Sequence, residues 1–190
     1  MHYRIHPAFT FITGTRPNVG AVEDILARFG QDVVSLLERA RLRIVTLVAS
    51  EQLRDVSPAL AAAGITEDPA AVFVAIEARI YVRCAVPLTV GHAIGCAIDF
   101  ALGRPSARDS QIVAAYRAAL TRNAFLTPLA HATPGSYVAE GLRAFYGCDD
   151  PIVGWPAATS ERLERIDPVM YGLTARLAAQ IPLAVGQVAS

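Results

Sequence analysis

The stretch 88–103, LTVGHAIGCAIDFALG, constrains this chain more than any other, because almost every position in it is apolar or small. Pro87 opens it and Gly103 closes it before Arg104-Pro105, residue types that suit the first helical position and the position just past the last turn. The segment therefore reads as a helix, and the rest of the chain is organised around it. His92, Cys96 and Asp99 stand at i, i+4 and i+7. On a helix they share one face, the spacing at which a helix offers two ligands to a metal.

At 190 residues the chain is most simply one domain with its own core, the region 1–71 supplying an N-terminal strand and helix part and 72–181 the rest. Hydrophobic residues make up 53% and mean hydropathy is +0.37, yet Arg, Asp, Glu and Gly interrupt them before any run reaches the roughly 20 needed to span a bilayer. The opening MHYRIHPAF lacks the charged-then-apolar layout of a signal peptide, so the expected location is cytoplasmic, without a membrane partner. Net charge is 0, from 17 basic and 17 acidic residues, with no basic cluster, which argues against a nucleic-acid partner. Every basic residue is Arg, and the absence of Lys removes Schiff-base chemistry except at the N-terminal amine. Cys84, Cys96 and Cys148 are odd in number and far apart, as expected of reduced thiols.

In chain order, alternation over 8–13 predicts a first strand, and 14–20 a turn containing Pro17 and Asn18. Val22, Ile25, Leu26, Phe29, Val33, Leu36 and Leu37 predict a helix over 19–40, with Gly30 as a bend. A β-branched run predicts a strand over 42–49, then a helix over 51–63 that restarts near Ser57-Pro58. Residues 72–84 read as a hairpin turning near Glu77-Ala78-Arg79, with Ile80 and Val82 on a covered face and Tyr81 and Arg83 on an open one. Beyond the central helix, 106–125 reads as an amphipathic helix with Ile112, Ala115, Tyr116, Ala119 and Leu120 inward, and 127–132 as a loop. Thr133-Pro134 makes an N-cap and first-position pair for a helix to Tyr146, and the last helix, over 160–181, breaks at Asp167-Pro168. Mixed strands and helices followed by a mostly helical half give an α+β class.

The motifs H-x-x-G-x-A-I-D-x-x-L-G at 92–103 and S-Y-V-A-E-G-L-R-A-F-Y at 136–146, behind a hairpin and a Ser-led helix, resemble the catalytic domain of anthrax-lethal-factor-type zincins, which includes Pro-Pro endopeptidases. The resemblance covers about 72–146 and implies a zincin-like metallopeptidase fold. In that family the central helix reads His-Glu-x-Gly-His-Ala-x-Asp, and a later helix reads Glu-Phe-Phe-Ala-Glu-Ala-Phe. Carried over by position, the first His is His92, while the catalytic Glu falls on Ala93 and the second His on Cys96. The third zinc ligand falls on Ser136 and the transition-state Tyr on Leu129. Gly95, Ala97, Asp99, Gly103 and Glu140 match the scaffold. Zinc hydrolysis needs three protein ligands, an open water position and a base, and Ala93 cannot take a proton.

Two readings stand at His92: a histidine satisfied by one hydrogen bond, or an acid, base or donor on the floor of an inherited cleft. Glu140 either bonds His92 from behind or makes a surface pair with Arg143. Cys96 is a small core filler, a nucleophile or a cleft residue, and Asp99 holds structure by capping or by pairing with an Arg. Leu129, His131, Ser136, Tyr137, Tyr116 and Trp155 are candidates to line the same cleft. These readings imply a non-proteolytic, metal-independent protein with no cofactor. Its cleft, with His92 and Glu140 as catalytic candidates and Cys96, Leu129, His131, Ser136 and Tyr137 around them, binds a small organic molecule for cyclisation or isomerisation. The alternatives are a non-catalytic protein that holds a peptide along the edge of 72–84, and a zinc peptidase with a His92–Cys96–Glu140 site.

Overall fold

The computed structural model describes residues 16–48, 50–149 and 157–186. The strand expected over 8–13 and Trp155 lie outside the described residues. Helix α1, Arg16–Arg39, buries the whole periodic set from Val22 to Leu37. It starts at Arg16, so the turn expected over 14–20 is helical from that residue onward; Pro17, in the first turn, forgoes an N–H that has no intrahelical partner there. Gly30, at φ 79°, leaves the helical region and divides α1 into two segments, a conformation that a Cβ would oppose.

The sheet is built from β1 (Arg43–Thr46), β2 (Ala71–Val74) and β3 (Arg79–Val82) in the order β1-β3-β2. β3 pairs parallel to β1, Arg43 opposite Arg79, and antiparallel to β2, Val74 opposite Arg79. The hairpin turns through a 3-10 segment, Ala75–Glu77, and Ala78 in the left-handed region at φ 50°, where the sequence placed it. Between β1 and β2 run two short helices, α2 (Leu53–Val56) and α3 (Pro58–Ala62), which divide at Ser57. Ser57 caps α3 by accepting from the Leu60 N–H, with Pro58 at the first helical position.

One expectation about the hairpin fails. Ile80 and Val82 do face the main core, but Tyr81 is only 1% exposed. It joins Leu47, Leu53, Leu60 and Val74 in a second core between the sheet and α2 and α3. The sheet is therefore a middle layer, covered on both faces. The Tyr81 hydroxyl has its own partners there, Glu77 at 2.5 Å and the Val56 carbonyl at 3.3 Å, as a buried phenol requires.

Helix α4, Pro87–Ala101, lies against the other face and ends at Leu102 and Gly103, the latter at φ 83°. Ile94 and Ile98 are fully buried, worth about 1.5–3 kcal/mol each relative to exposure. The amphipathic segment after it is two helices, α5 (Pro105–Arg108) and α6 (Ser110–Arg122), because Asp109 caps α6 by accepting from the Gln111 N–H. Ile112, Ala115 and Ala119 point inward as expected, whereas Leu120 is exposed. A 3-10 turn, Pro128–His131, replaces the expected loop. Helix α7, Pro134–Phe145, is capped by Thr133, and α8 (Ser160–Ile166) and α9 (Pro168–Gly186) divide at Asp167. The result is an α+β architecture in which α1 and α7 pack directly against α4, and α6, α8 and α9 pack in turn against α7. Among the described residues no helix is long and apolar enough to cross a membrane.

Candidate active site

After its first turn, α4 is buried around most of its circumference: Val90, Gly91, Ala93, Ile94, Gly95, Ala97, Ile98 and Asp99 all lie inside. From Thr89 onward the positions that keep some exposure are Thr89, His92, Cys96, Phe100 and, at the helix end, Ala101. The spacing of Thr89, His92, Cys96 and Phe100 puts them in one stripe, which carries the imidazole and the thiol of the helix.

The partner helix is α7, and two glycines set how close it comes. A Cβ on Gly95 would stand 2.6 Å from the Ala139 carbonyl oxygen and 2.7 Å from its Cα, so the two backbones touch there. A Cβ on Gly91 would meet the Cys148 sulfur at 2.7 Å and the Arg143 side chain at 3.0 Å. Backbone contact at Ala139 places the next residue, Glu140, beside His92, one turn before Gly95. The space left at Gly91 lets the Arg143 stem pass.

His92 Nδ1 and Glu140 Oε1 are 2.9 Å apart, so Glu140 does turn inward and bond His92. Arg143 Nε donates to Oε1 at 3.0 Å and Nη2 to Oε2 at 2.9 Å, a fork geometry that is among the strongest charged hydrogen bonds. The Thr127 hydroxyl donates to Oε2 at 2.5 Å. Arg143 Nη1 donates to the Cys148 carbonyl at 2.8 Å and lies 3.9 Å from Asp149. The alternative of a surface Glu–Arg pair is thus ruled out, since both side chains are at most 1% exposed. An unpaired charge at such a site is very costly, and Glu140 has a hydrogen-bonded donor on every side that the described residues define.

The network fixes charge as well as position. Burial pushes the Glu140 carboxyl up, but hydrogen bonds and positive charge from His92 and Arg143 outweigh it and hold it at about 2. Burial likewise pulls the His92 imidazole down, and it is overcome by the Cys96 and Glu140 partners, which raise it to about 10. At neutral pH His92 is therefore an imidazolium with both nitrogens donating. Nδ1–H is held by Glu140, while Nε2–H faces the Cys96 sulfur at 3.7 Å along the open stripe. The His92 side chain keeps 21% exposure.

The other sequence candidates divide. Asp99 has the structural role, accepting from the Ser106 N–H at 2.9 Å and the Ser106 hydroxyl at 2.6 Å, which fixes the start of α5. Ser136 sits in the capping turn of α7, its hydroxyl accepting from Thr133 at 3.0 Å. Leu129 is half-buried on the 3-10 turn, and His131 is exposed, its ring in a T-shaped arrangement with Phe125 at 5.2 Å between centroids. Tyr137 is buried among Phe125 and Tyr116, and its hydroxyl donates to Asp167. Tyr116 likewise gives its hydroxyl to the His131 carbonyl at 2.7 Å.

Thr127 and the buried role of Arg143 were missed. Arg143 is readable after the fact from its i, i+3 spacing to Glu140 and from glycine at 91, whereas nothing in the sequence marks Thr127. The zinc ion that the sequence resemblance implies does not fit these residues. Both Glu140 oxygens are taken by Arg143, Thr127 and His92 Nδ1, which leaves His92 Nε2 and Cys96 alone. Among the described residues no group of three or more His, Cys, Asp or Glu is placed to hold a metal. Comparison with protein-family models, with curated proteins and with solved structures finds no match to this chain.

Proposed function

We propose that this chain is a zincin-type domain that has exchanged metal chemistry for a fixed, charged histidine. The open stripe of α4 binds a small organic molecule through an accepting oxygen, and His92 Nε2–H donates to it. The reaction this favours is one that polarisation and a single proton transfer can drive, a cyclisation or an isomerisation of the bound molecule. The observation that carries the reading is the buried Arg143–Glu140–His92 chain. A carboxylate clamped by a bidentate Arg holds the imidazole in one orientation and keeps it protonated while its second nitrogen stays reachable. A histidine kept only for packing needs no buried Arg behind its carboxylate, because each buried charge raises the cost of folding.

The test is a binding screen with a panel of small neutral carbonyl and carboxylate compounds, read by the nitrogen-15 resonances of the histidines. Binders are expected to move His92 Nε2 and to lose at least roughly ten-fold in affinity in His92→Gln, about 1.4 kcal/mol. Binders that leave the His92 resonances still, or that bind His92→Gln equally well, refute it. The peptide alternative has one observation in its favour: β2 is an outer strand of the sheet. It predicts that extended peptides shift amides of Ala71–Val74 instead.

A further inference from the structure

We propose that Cys96 is the covalent nucleophile of this site and that the substrate class is an α,β-unsaturated carbonyl compound. The proposal rests on the small-molecule reading above and names its chemistry. Cys96 Sγ lies 3.7 Å from His92 Nε2, whose other nitrogen is 2.9 Å from Glu140. Thiol, imidazole and carboxylate thus follow one another in the order of a nucleophile, its proton partner and the group that orients the partner. Both reactive side chains lie on the open stripe of α4. The other two cysteines lack this setting: Cys84 is exposed with no histidine against it among the described contacts, and Cys148 is fully buried.

The surroundings also select among reactions. Acyl transfer through a cysteine requires paired donors for a tetrahedral oxyanion, usually backbone N–H groups beside the nucleophile. Cys96 stands in the interior of α4, where the N–H groups of Cys96 and Ala97 are committed to the helix. Conjugate addition has no such requirement. The sulfur forms a bond to the β-carbon and the π electrons move to the carbonyl oxygen; His92 Nε2 gives its proton to that oxygen and takes up the proton that the Cys96 thiol loses. The α,β bond is then single and rotates. Return of the oxygen's proton to Nε2, passage of the Nε2 proton to the departing sulfur and cleavage of the C–S bond restore the alkene in its other geometry and regenerate the thiol and the imidazolium. Atoms and electrons balance without an oxidant, reductant or co-reactant, and the net change is a cis–trans isomerisation.

The experiment uses N-ethylmaleimide, itself an α,β-unsaturated carbonyl, at substoichiometric amounts and pH 7, with the modified cysteine mapped by peptide mass spectrometry. Cys96 is expected to be labelled before the more exposed Cys84, and His92→Gln to slow Cys96 by roughly ten-fold or more while Cys84 keeps its rate. Cys148 monitors folding in the same sample, because it reacts only if the chain opens. Where His92→Gln exposes Cys148, the comparison is made in His92→Asn, and thermal unfolding of Cys96→Ser confirms that the thiol itself is not needed for the fold. Preferential labelling of Cys84, or a Cys96 rate indifferent to His92 in a folded variant, overturns the proposal. Cys96→Ser separates the two readings: binding of the carbonyl panel retained in this variant, together with slow Cys96 labelling in the unsubstituted chain, leaves the proton donor standing and removes the nucleophile.

Discussion

Two glutamates organise this molecule, and their neighbourhoods differ in kind. Glu77, at the hairpin, accepts from the Ser57 hydroxyl and the Ala59 N–H at 2.8 Å each and from the Tyr81 hydroxyl at 2.5 Å. Partial burial pushes its carboxyl up, but those hydrogen bonds and the Arg79 charge prevail and lower it. Three of its partners are neutral, and they tie the sheet to α2 and α3. Glu140 is more deeply buried, and two of its partners, Arg143 and His92, carry charge. One carboxylate pins two layers together; the other governs a proton at the edge of solvent. Number of hydrogen bonds does not separate the two carboxylates here, whereas the chemistry of the donors does.

Removing the charged donor behind Glu140 tests that contrast most severely. Arg143→Met is expected to cost about 3–5 kcal/mol in urea denaturation, because the Glu140 carboxylate loses its bidentate partner in a site closed to water. A loss below about 1 kcal/mol would place Glu140 in the same category as Glu77.

A pH series sharpens the difference. The raised His92 means that, between pH 6.5 and about 10, the unfolded chain has released a proton that the folded chain retains, so stability falls as pH rises through that window. The lowered Glu140 does the opposite on the acid side, its contribution present above pH 4.5 and lost towards about 2. Glu140→Gln is expected to abolish the acid limb due to this residue and shorten the alkaline one, with the His92 resonances titrating at lower pH. The smallest effect belongs to Glu77→Gln, about 1 kcal/mol for a half-buried carboxylate with neutral donors, and the His92 titration is expected not to move.

Legibility in the sequence followed how local each cause is. Pro87 and Gly103 bracket α4, Thr133-Pro134 start α7, and the hairpin turns at Glu77-Ala78, because each depends on residues within a turn of one another. The open face assigned to Tyr81 was wrong because alternation reports one covering layer and cannot register a second, made by α2 and α3. Asp109 divided a helix that apolar periodicity joined, since one capping carboxylate is invisible to a count of hydrophobic positions. At the site, His92, Cys96 and Glu140 were legible from helical spacing and motif resemblance. Thr127 was not, because its hydroxyl reaches Glu140 from a separate segment.

The backbone contact at Gly95 and Ala139 also determines what binding costs. Immobilising a side chain when a ligand arrives takes about 0.5–1.5 kcal/mol from the affinity. At His92 that loss of rotamer freedom is incurred during folding, when α4 settles onto α7 and Glu140 captures Nδ1. For the small molecule proposed above, His92 would then need no ordering step, and the ligand's own rotatable bonds would weigh more in the entropy of binding. On that reading flexible ligands would be penalised and rigid ones favoured, a selection made by the packing of two helices before any ligand is met.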